Sequence, residues 1–204
     1  MAGRLRAVLV TQPDAAAEEV LAVAARDLQG GIDGLVVRRP QATAREVFDL
    51  TRRLRPATRR FKCALIVSDR ADVAVAADAD GVHLGERSLP LAAARRVVRG
   101  SMLVGRSVHN LYQVGQVEEE GADYIFLGPL FVTRSHPGQQ GIGIEHYQEA
   151  VLRAHAPVLA IGGVTGENVR LVAQAGGSGA AAISAFSRVA DPAESARAFR
   201  AAFA

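Results

Sequence analysis

Two consecutive glycines, Gly162 and Gly163, follow the apolar segment VLAI and precede a segment of helical spacing. Glycines let backbone amides approach an anion closely, and the N-terminus of a following helix adds partial positive charge. This pattern predicts a phosphate-binding turn. The alternative is a tight turn that binds no ligand.

Three further polar residues lie in or directly after apolar segments. Asp69 follows ALIVS and could hold a cation or orient a ring nitrogen, although an aspartate before a helix is also a common N-cap. His83 in GVHL could face a ligand or be a satisfied core histidine. Ser107 ends LVGRS and is a candidate ligand contact, and Asn110 shortly after it is a predicted N-cap.

A long segment, GPLFVTRSHPGQQGIG, connects the sixth apolar segment to the next helical one. Connections of this length are usually functional loops or disordered segments. The cluster of Thr133, Arg134, Ser135 and His136 lies between GP and PG, and we expect it to reach over a bound anion. A surface excursion without function is the alternative.

The elements that must position these residues recur along the chain as short apolar segments separated by helical spacing. The alternation of strand and helix predicts parallel strands with right-handed crossovers. Eight such units in about 200 residues predict an α/β fold, a single-domain (β/α)8 TIM barrel over residues 1–204, with functional groups at the C-terminal ends of its strands. The predicted strands are Ala7–Thr11, Gly34–Arg38, Ala64–Ser68, Gly81–Leu84, Leu103–Ser107, Tyr124–Gly128, Val158–Gly162 and Ala180–Ser184.

Composition limits the function classes. No apolar run approaches the roughly 20 residues of a membrane span, and no secretory leader is visible, so we expect a cytoplasmic protein without a membrane partner. Cys63 is the single cysteine, which excludes an internal disulfide. A net charge of +3 gives no argument for nucleic-acid binding. Lys62, the only lysine, begins a strand instead of ending one, which argues against Schiff-base chemistry.

Six ordered segments together resemble the thiamine-phosphate synthase and thiazole tautomerase superfamily. They are VVRR, SDRADVA, ADGVHLGE, VGRSVHN, GADYIFLGPLFVT and AIGGV, and they span nearly the whole chain. The resemblance implies a small phosphorylated thiazole metabolite as ligand. Its phosphate would be held by Gly162, Gly163, Ile183 and Ser184 with Thr133 near it, in a homodimeric protein.

The chain departs from the synthase pattern in the half that would bind pyrimidine diphosphate and magnesium. Val36, Pro40, Ser68, Ser88 and His136 stand where the synthases carry polar or charged groups. Because expulsion of diphosphate requires neutralisation of developing negative charge, these departures lead us to expect a thiazole tautomerase, an isomerase that moves a proton without metal or cofactor.

In that interpretation the catalytic residues are His136, Asp69 and Arg38, and His136 is the acid–base group because imidazole titrates near neutral pH. The substrate would also contact Ser107, Arg134, Ser135 and His83. One alternative is a thiamine-phosphate synthase that uses Mg²⁺, and another is a non-catalytic binder of thiazole phosphate or thiamine phosphate with a regulatory role.

Overall fold

The computed structural model describes residues 5–133, 138 and 140–204 of the chain. Eight parallel strands form a closed barrel in which each strand pairs with its neighbours in chain order, and β8 closes against β1. The strands are β1 (Ala7–Val10), β2 (Gly34–Val37), β3 (Ala64–Ser68), β4 (Gly81–Leu84), β5 (Leu103–Val108), β6 (Tyr124–Leu127), β7 (Val158–Ile161) and β8 (Gly179–Ala182). The predicted (β/α)8 TIM barrel is confirmed, and the strand boundaries differ from the predicted ones by no more than two residues.

Helices connect the strands and surround the barrel. One short helix was not predicted, a single turn after β8 that begins at Ser184, a residue predicted to end the strand. The helices are α1 (Ala17–Gly30), α2 (Ala44–Phe61), α3 (Ala71–Ala76), α4 (Leu91–Val97), α5 (Leu111–Glu119), α6 (Ile144–Arg153), α7 (Val169–Gln174), α8 (Ser184–Ser187) and α9 (Pro192–Ala202).

Helix α2 continues through Pro56 to Phe61, although proline usually ends or interrupts a helix. Proline removes a helical hydrogen bond, but tertiary contacts hold the last turns in place. Arg55 forms a bidentate ion pair with Asp80, with N···O distances of 2.6 and 2.9 Å, and Thr58 is fully buried. Packing therefore overrides the helix-breaking tendency of proline.

Several arginines of α2 form ion pairs with acidic side chains. Besides Arg55, Arg53 contacts Glu18 at 2.7 Å and Arg59 contacts Asp78.

Among the residues that the structure describes, no helix is long and apolar enough to cross a membrane.

Three aspartates repeat one structural role at the N-terminal end of the barrel. Asp33, Asp80 and Asp123 directly precede β2, β4 and β6. Their carboxylates accept hydrogen bonds from the backbone N–H of Ala7, Leu65 and Val104, each in the strand before. The three carboxylates thus fix the start of alternating strand pairs at the end of the barrel opposite the predicted site.

Side chains alternate between the barrel interior and the layer between strands and helices. The interior contains a separate apolar cluster that includes Val36, Tyr124 and Phe126. An inward-facing glycine makes room for the largest of these side chains, because a Cβ on Gly105 would lie 2.1 Å from Cζ of Tyr124. The interior is therefore filled by side chains, and ligands have access only at its ends.

Asp27 on α1 is fully buried, and neither of its carboxylate oxygens has a hydrogen-bond partner among the described residues. Burial raises the pKa of Asp27 from 3.8 to about 8, with Arg26 acting in the opposite direction. Between these two pH values the folded chain keeps a proton that the unfolded chain has lost. Raising the pH through this range therefore destabilises the fold.

Replacing Asp27 by asparagine should stabilise the protein, and more so as the pH rises. We expect the gain in free energy of unfolding to be about 1 to 3 kcal/mol larger at pH 7 than at pH 5, measured by urea denaturation. Asp14→Asn, at an exposed position before the same helix, is the control and should show no such pH dependence. A gain for Asp27→Asn that is equal at both pH values would contradict this account.

Candidate active site

The C-terminal ends of the strands form the mouth of the barrel, and most of the predicted site residues meet there. The structure brings together Arg38 after β2, Asp69 after β3, Ser107 near the end of β5, Gly162 and Gly163 after β7, and Ile183 and Ser184 after β8. Thr133 is half-buried in the segment after β6. Arg134, Ser135 and His136 lie outside the described residues.

Asp69 links the ends of β3 and β4. Its Oδ1 accepts hydrogen bonds from the Gly85 N–H at 3.0 Å and from the Ser88 hydroxyl, and its Oδ2 accepts from Ser68 Oγ at 3.1 Å. Asp69 has φ of 64°, a conformation that non-glycine residues adopt rarely and aspartate more readily than most. The N-cap alternative is wrong, because α3 has Arg70 as its N-cap and no side-chain cap.

These hydrogen bonds keep Asp69 ionised. Burial acts to raise the pKa of Asp69, but the hydrogen bonds from Ser88, Gly85 and Ser68 outweigh it and hold the pKa below its ordinary value. The mouth therefore contains a carboxylate that is negatively charged at neutral pH and exposed to solvent.

His83 lies beneath the mouth in the barrel interior and is 5% exposed. Its Nδ1 is 3.1 Å from the hydroxyl of Tyr124 and its Nε2 is 2.8 Å from Oγ of Ser107. Its ring packs 4.1 Å from the ring of Phe126. Both nitrogens have partners, which is the arrangement of a satisfied core histidine, so His83 reaches the mouth through Ser107.

Arg38 supplies a positive charge at the β2 side of the mouth. Its backbone is fixed to β1, since its N–H donates to Oγ1 of Thr11 at 2.8 Å and its carbonyl accepts from the same hydroxyl at 3.1 Å. The residue is exposed, and no hydrogen bond or ion pair of its guanidinium is found in the described part of the chain. The guanidinium is therefore available to an anionic ligand.

The turn after β7 has the features expected of an anion site. Gly162 and Gly163 have φ values of 89° and 71°, and a Cβ on either would lie 2.7 Å from atoms of Pro129 or Phe131. Within residues 5–133, 138 and 140–204, the N–H groups of Gly163 and Val164 make no hydrogen bond. Unpaired amides at such a turn suit a phosphate.

Asn168 stabilises this turn from the helix side. Its Nδ2 donates to the Gly163 carbonyl at 2.9 Å, and its Oδ1 accepts from the Thr165 N–H at 2.8 Å. After the neighbouring strand β8, Ser184 is exposed at the start of α8. The two turns after β7 and β8 therefore offer unpaired amides and a hydroxyl on the same side of the mouth.

Sequence reasoning missed the role of Tyr124 and of Asn168. Tyr124 begins β6 and its ring points inward next to Gly105, so its hydroxyl meets His83 across β5. Inward alternation along β6 could have indicated its direction, but not the partner on β4. The prediction that Asn110 is an N-cap is confirmed, since its Oδ1 accepts from the N–H of Gln113.

Comparison with known proteins places this barrel among enzymes of one family. The family model described as thiamine monophosphate synthase matches residues 7–186. The chain belongs to that family.

Proteins named as thiamine-phosphate synthases from several organisms are similar to this chain. It is 37% identical over 169 residues to a putative thiamine-phosphate synthase 2 from Aquifex aeolicus, covering 83% of this chain and 90% of that protein. It is 37% identical over 184 residues to a thiamine-phosphate synthase from Synechocystis, covering 90% of this chain but only 53% of the relative. The chain therefore spans about half the length of the second relative.

A solved structure, titled thiamine phosphate pyrophosphorylase from Pyrococcus furiosus, has the same architecture. It superposes with a TM-score of 0.88 at 31% sequence identity, covering 99% of this chain and 96% of that chain. The agreement extends over the complete barrel.

The expectation of a thiazole tautomerase, and with it of an isomerase, is wrong. Relatives at 37% identity are thiamine-phosphate synthases by name, which makes them transferases and agrees with the alternative interpretation. The error came from counting charges at single sequence positions. Val36 is 1% exposed within the apolar interior cluster, and the Ser88 hydroxyl is bonded to Asp69, so neither residue leaves a gap in the site.

Gly163→Ala should weaken the anion site, because the added Cβ would lie 2.7 Å from Phe131 Cβ and the positive φ disfavours alanine. We expect the affinity for inorganic phosphate, measured by isothermal titration calorimetry, to fall by about ten-fold or more, the loss of one or more strong hydrogen bonds to an anion.

Gly166→Ala is the matched control in the same loop, since its Cβ would make only an ordinary contact of 3.8 Å with Ala198. It should bind phosphate as the wild type does. Equal phosphate affinity of the Gly163→Ala protein and the wild type would show that the anion binds elsewhere.

Proposed function

We propose that this chain is a thiamine-phosphate synthase, a transferase that joins hydroxymethylpyrimidine diphosphate to thiazole phosphate. The observation that carries the proposal is the presence of two separate anion-binding groups at one barrel mouth. In the part of the chain that the structure describes, the amides of Gly163 and Val164 on the β7 side and the guanidinium of Arg38 on the β2 side have no hydrogen-bond partner. A single phosphorylated substrate requires one such group, whereas two phosphorylated substrates require both.

The reaction breaks one bond and forms one. The C–O bond between the pyrimidine methylene carbon and the diphosphate breaks, and its electron pair leaves with the diphosphate. The ring nitrogen of the thiazole then supplies the electron pair for the new C–N bond. The protein must therefore stabilise negative charge on the leaving group and hold the thiazole nitrogen in line with the methylene carbon.

The residues of the mouth fit these two tasks. The amides of Gly163 and Val164, with the Ser184 hydroxyl, hold the thiazole phosphate and so fix its ring. Arg38 binds the diphosphate and offsets the charge that develops on it. Ser107 contacts the reacting region from below, where the buried ring of Phe126 keeps water away from the interior.

The residues at Asp69 fit a magnesium ion that arrives with the diphosphate. Among the described residues no group of three or more His, Cys, Asp or Glu side chains could hold a metal. Mg²⁺, however, is commonly bound by one or two carboxylates, substrate phosphates and water. Asp69 supplies one ionised carboxylate, and the Ser68 and Ser88 hydroxyls lie beside it. When bound there, Mg²⁺ would neutralise charge on the leaving diphosphate.

Other expectations from the sequence stay predictions. These are the homodimer, the cytoplasmic location, the absence of a nucleic-acid partner, and substrate contacts of Thr133, Arg134 and Ser135. The proton-transfer role of His136 belonged to the tautomerase interpretation and is withdrawn with it.

The direct test is to incubate the purified protein with hydroxymethylpyrimidine diphosphate, thiazole phosphate and MgCl2. Thiamine phosphate and diphosphate should form in equal amounts. Binding of thiazole phosphate without any product would contradict the proposal and favour the non-catalytic binder.

Asp69→Asn should lower synthase turnover by about 10²-fold, the effect typical of losing one group that stabilises a developing charge. The Mg²⁺ concentration that gives half-maximal activity should rise at the same time. Asp72→Asn is the matched control, because Asp72 lies on the same side of the barrel and forms an ion pair with the partly exposed Arg70. An unchanged Mg²⁺ requirement in the Asp69→Asn protein would exclude Asp69 as the metal-binding carboxylate.

A further inference from the structure

A row of three side chains crosses the barrel interior beneath the mouth. Nδ1 of His83 lies 3.1 Å from the Tyr124 hydroxyl, and Nε2 of His83 lies 2.8 Å from Oγ of Ser107. In the described part of the chain these two contacts are the only hydrogen bonds of the four atoms. The positions of the hydrogens therefore decide what Ser107 offers to a ligand.

Tyr124 determines the direction of the first hydrogen bond. Its hydroxyl is fully buried, and Nδ1 of His83 is the only acceptor found for it among the described residues. If Nδ1 carried the ring hydrogen and donated to Tyr124, the tyrosine hydrogen would be buried without an acceptor. Folded proteins rarely tolerate such a buried donor. Tyr124 therefore donates, and Nδ1 of His83 is the acceptor.

The burial of His83 determines the direction of the second hydrogen bond. The ring of His83 is 5% exposed and packs 4.1 Å from the ring of Phe126, and both of its nitrogens contact hydroxyl groups and not a carboxylate, so its surroundings disfavour a charged ring. The ring is therefore neutral and carries one hydrogen. Because Nδ1 accepts from Tyr124, that hydrogen is on Nε2 and is donated to Oγ of Ser107.

We propose that Tyr124 and His83 are positioning residues that force Ser107 to donate its hydroxyl hydrogen toward the barrel mouth. Ser107 already accepts from His83, so its hydrogen cannot also point to Nε2. The hydroxyl hydrogen is then available to a hydrogen-bond acceptor of the ligand, such as a diphosphate oxygen or an unprotonated ring nitrogen.

The identity of the ligand in this proposal rests on the proposed synthase function. The arrangement of hydrogens does not, because it is a property of the ligand-free protein. A failure of the synthase assay and a failure of the hydrogen-bond assignment are therefore separate results.

The first test is ¹⁵N NMR of the ligand-free wild-type protein with labelled histidine. His83 should show a protonated, pyrrole-like Nε2 and an unprotonated, pyridine-like Nδ1 throughout the neutral pH range. A His83 ring that is protonated at Nδ1, or that titrates near neutral pH, would overturn the proposal.

The second test is Tyr124→Phe, which removes the hydroxyl and leaves the ring that fills the space beside Gly105. Without the tyrosine donor, the opposite tautomer becomes accessible and Ser107 can donate back to Nε2. We expect the Nε2 resonance to move toward the unprotonated value. We also expect kcat of the synthase to fall about ten-fold with KM nearly unchanged, a partial loss of one transition-state donor.

Tyr147→Phe is the matched control. Tyr147 is also fully buried, and its hydroxyl donates a hydrogen bond to the carbonyl of Val158 at 3.0 Å. This variant should lose a similar amount of thermal stability without a change in the His83 resonances or in kcat. An equal fall of kcat in both tyrosine variants would assign the effect to general destabilisation and overturn the proposal.

The double variant Tyr124→Phe with Ser107→Ala tests whether Tyr124 affects kcat through Ser107. If Tyr124 acts through Ser107, then Tyr124→Phe should lower kcat hardly at all in the Ser107→Ala background, so the two effects are not additive. A further ten-fold fall in the double variant would show that Tyr124 acts by another route and would overturn the proposal.

Discussion

The requirement to fill the interior of a closed barrel connects the fold of this chain to its chemistry. Gly105 on β5 faces inward, and the ring of Tyr124 occupies the space that a side chain there would need. This packing brings the tyrosine hydroxyl to His83, and His83 in turn contacts Ser107 at the mouth. A contact that stabilises the barrel thus also fixes the orientation of a polar group in the candidate active site.

The two ends of the barrel divide the work of stability and function. At the N-terminal end, Asp33, Asp80 and Asp123 hold the strand starts through backbone hydrogen bonds. At the mouth, the amides of Gly163 and Val164 and the guanidinium of Arg38 lack such partners in the described part of the chain. Groups without partners at the mouth are free to bind a ligand, and satisfied groups at the opposite end resist unfolding.

Much of the fold could be predicted from the sequence because its strands are short, apolar and β-branched and are separated by helical segments. The end of α2 could not, since the ion pair of Arg55 with Asp80 and the burial of Thr58 carry the helix past Pro56. Such contacts join residues far apart in the chain. The contacts of Asp33, Asp80 and Asp123 could not be predicted for the same reason, because each aspartate precedes one strand and accepts a hydrogen bond from the backbone of another.

The site was predictable where a local motif determines the geometry. The turn at Gly162 and Gly163 is one example, because two glycines after a strand produce it directly. Asp69 was ambiguous, and only the contacts with Gly85 and Ser88 show that it does not cap α3. Function was mispredicted because missing charges at single positions were taken as a lost diphosphate site.

The central claim is that two anions bind on separate sides of one mouth. A crystal structure of the protein with thiamine phosphate, diphosphate and Mg²⁺ tests it most directly. We expect the phosphate of thiamine phosphate to bind at the amides of Gly163 and Val164, and the diphosphate to bind at Arg38 and Asp69. Both anions bound at the glycine turn, or the diphosphate bound outside the mouth, would contradict it.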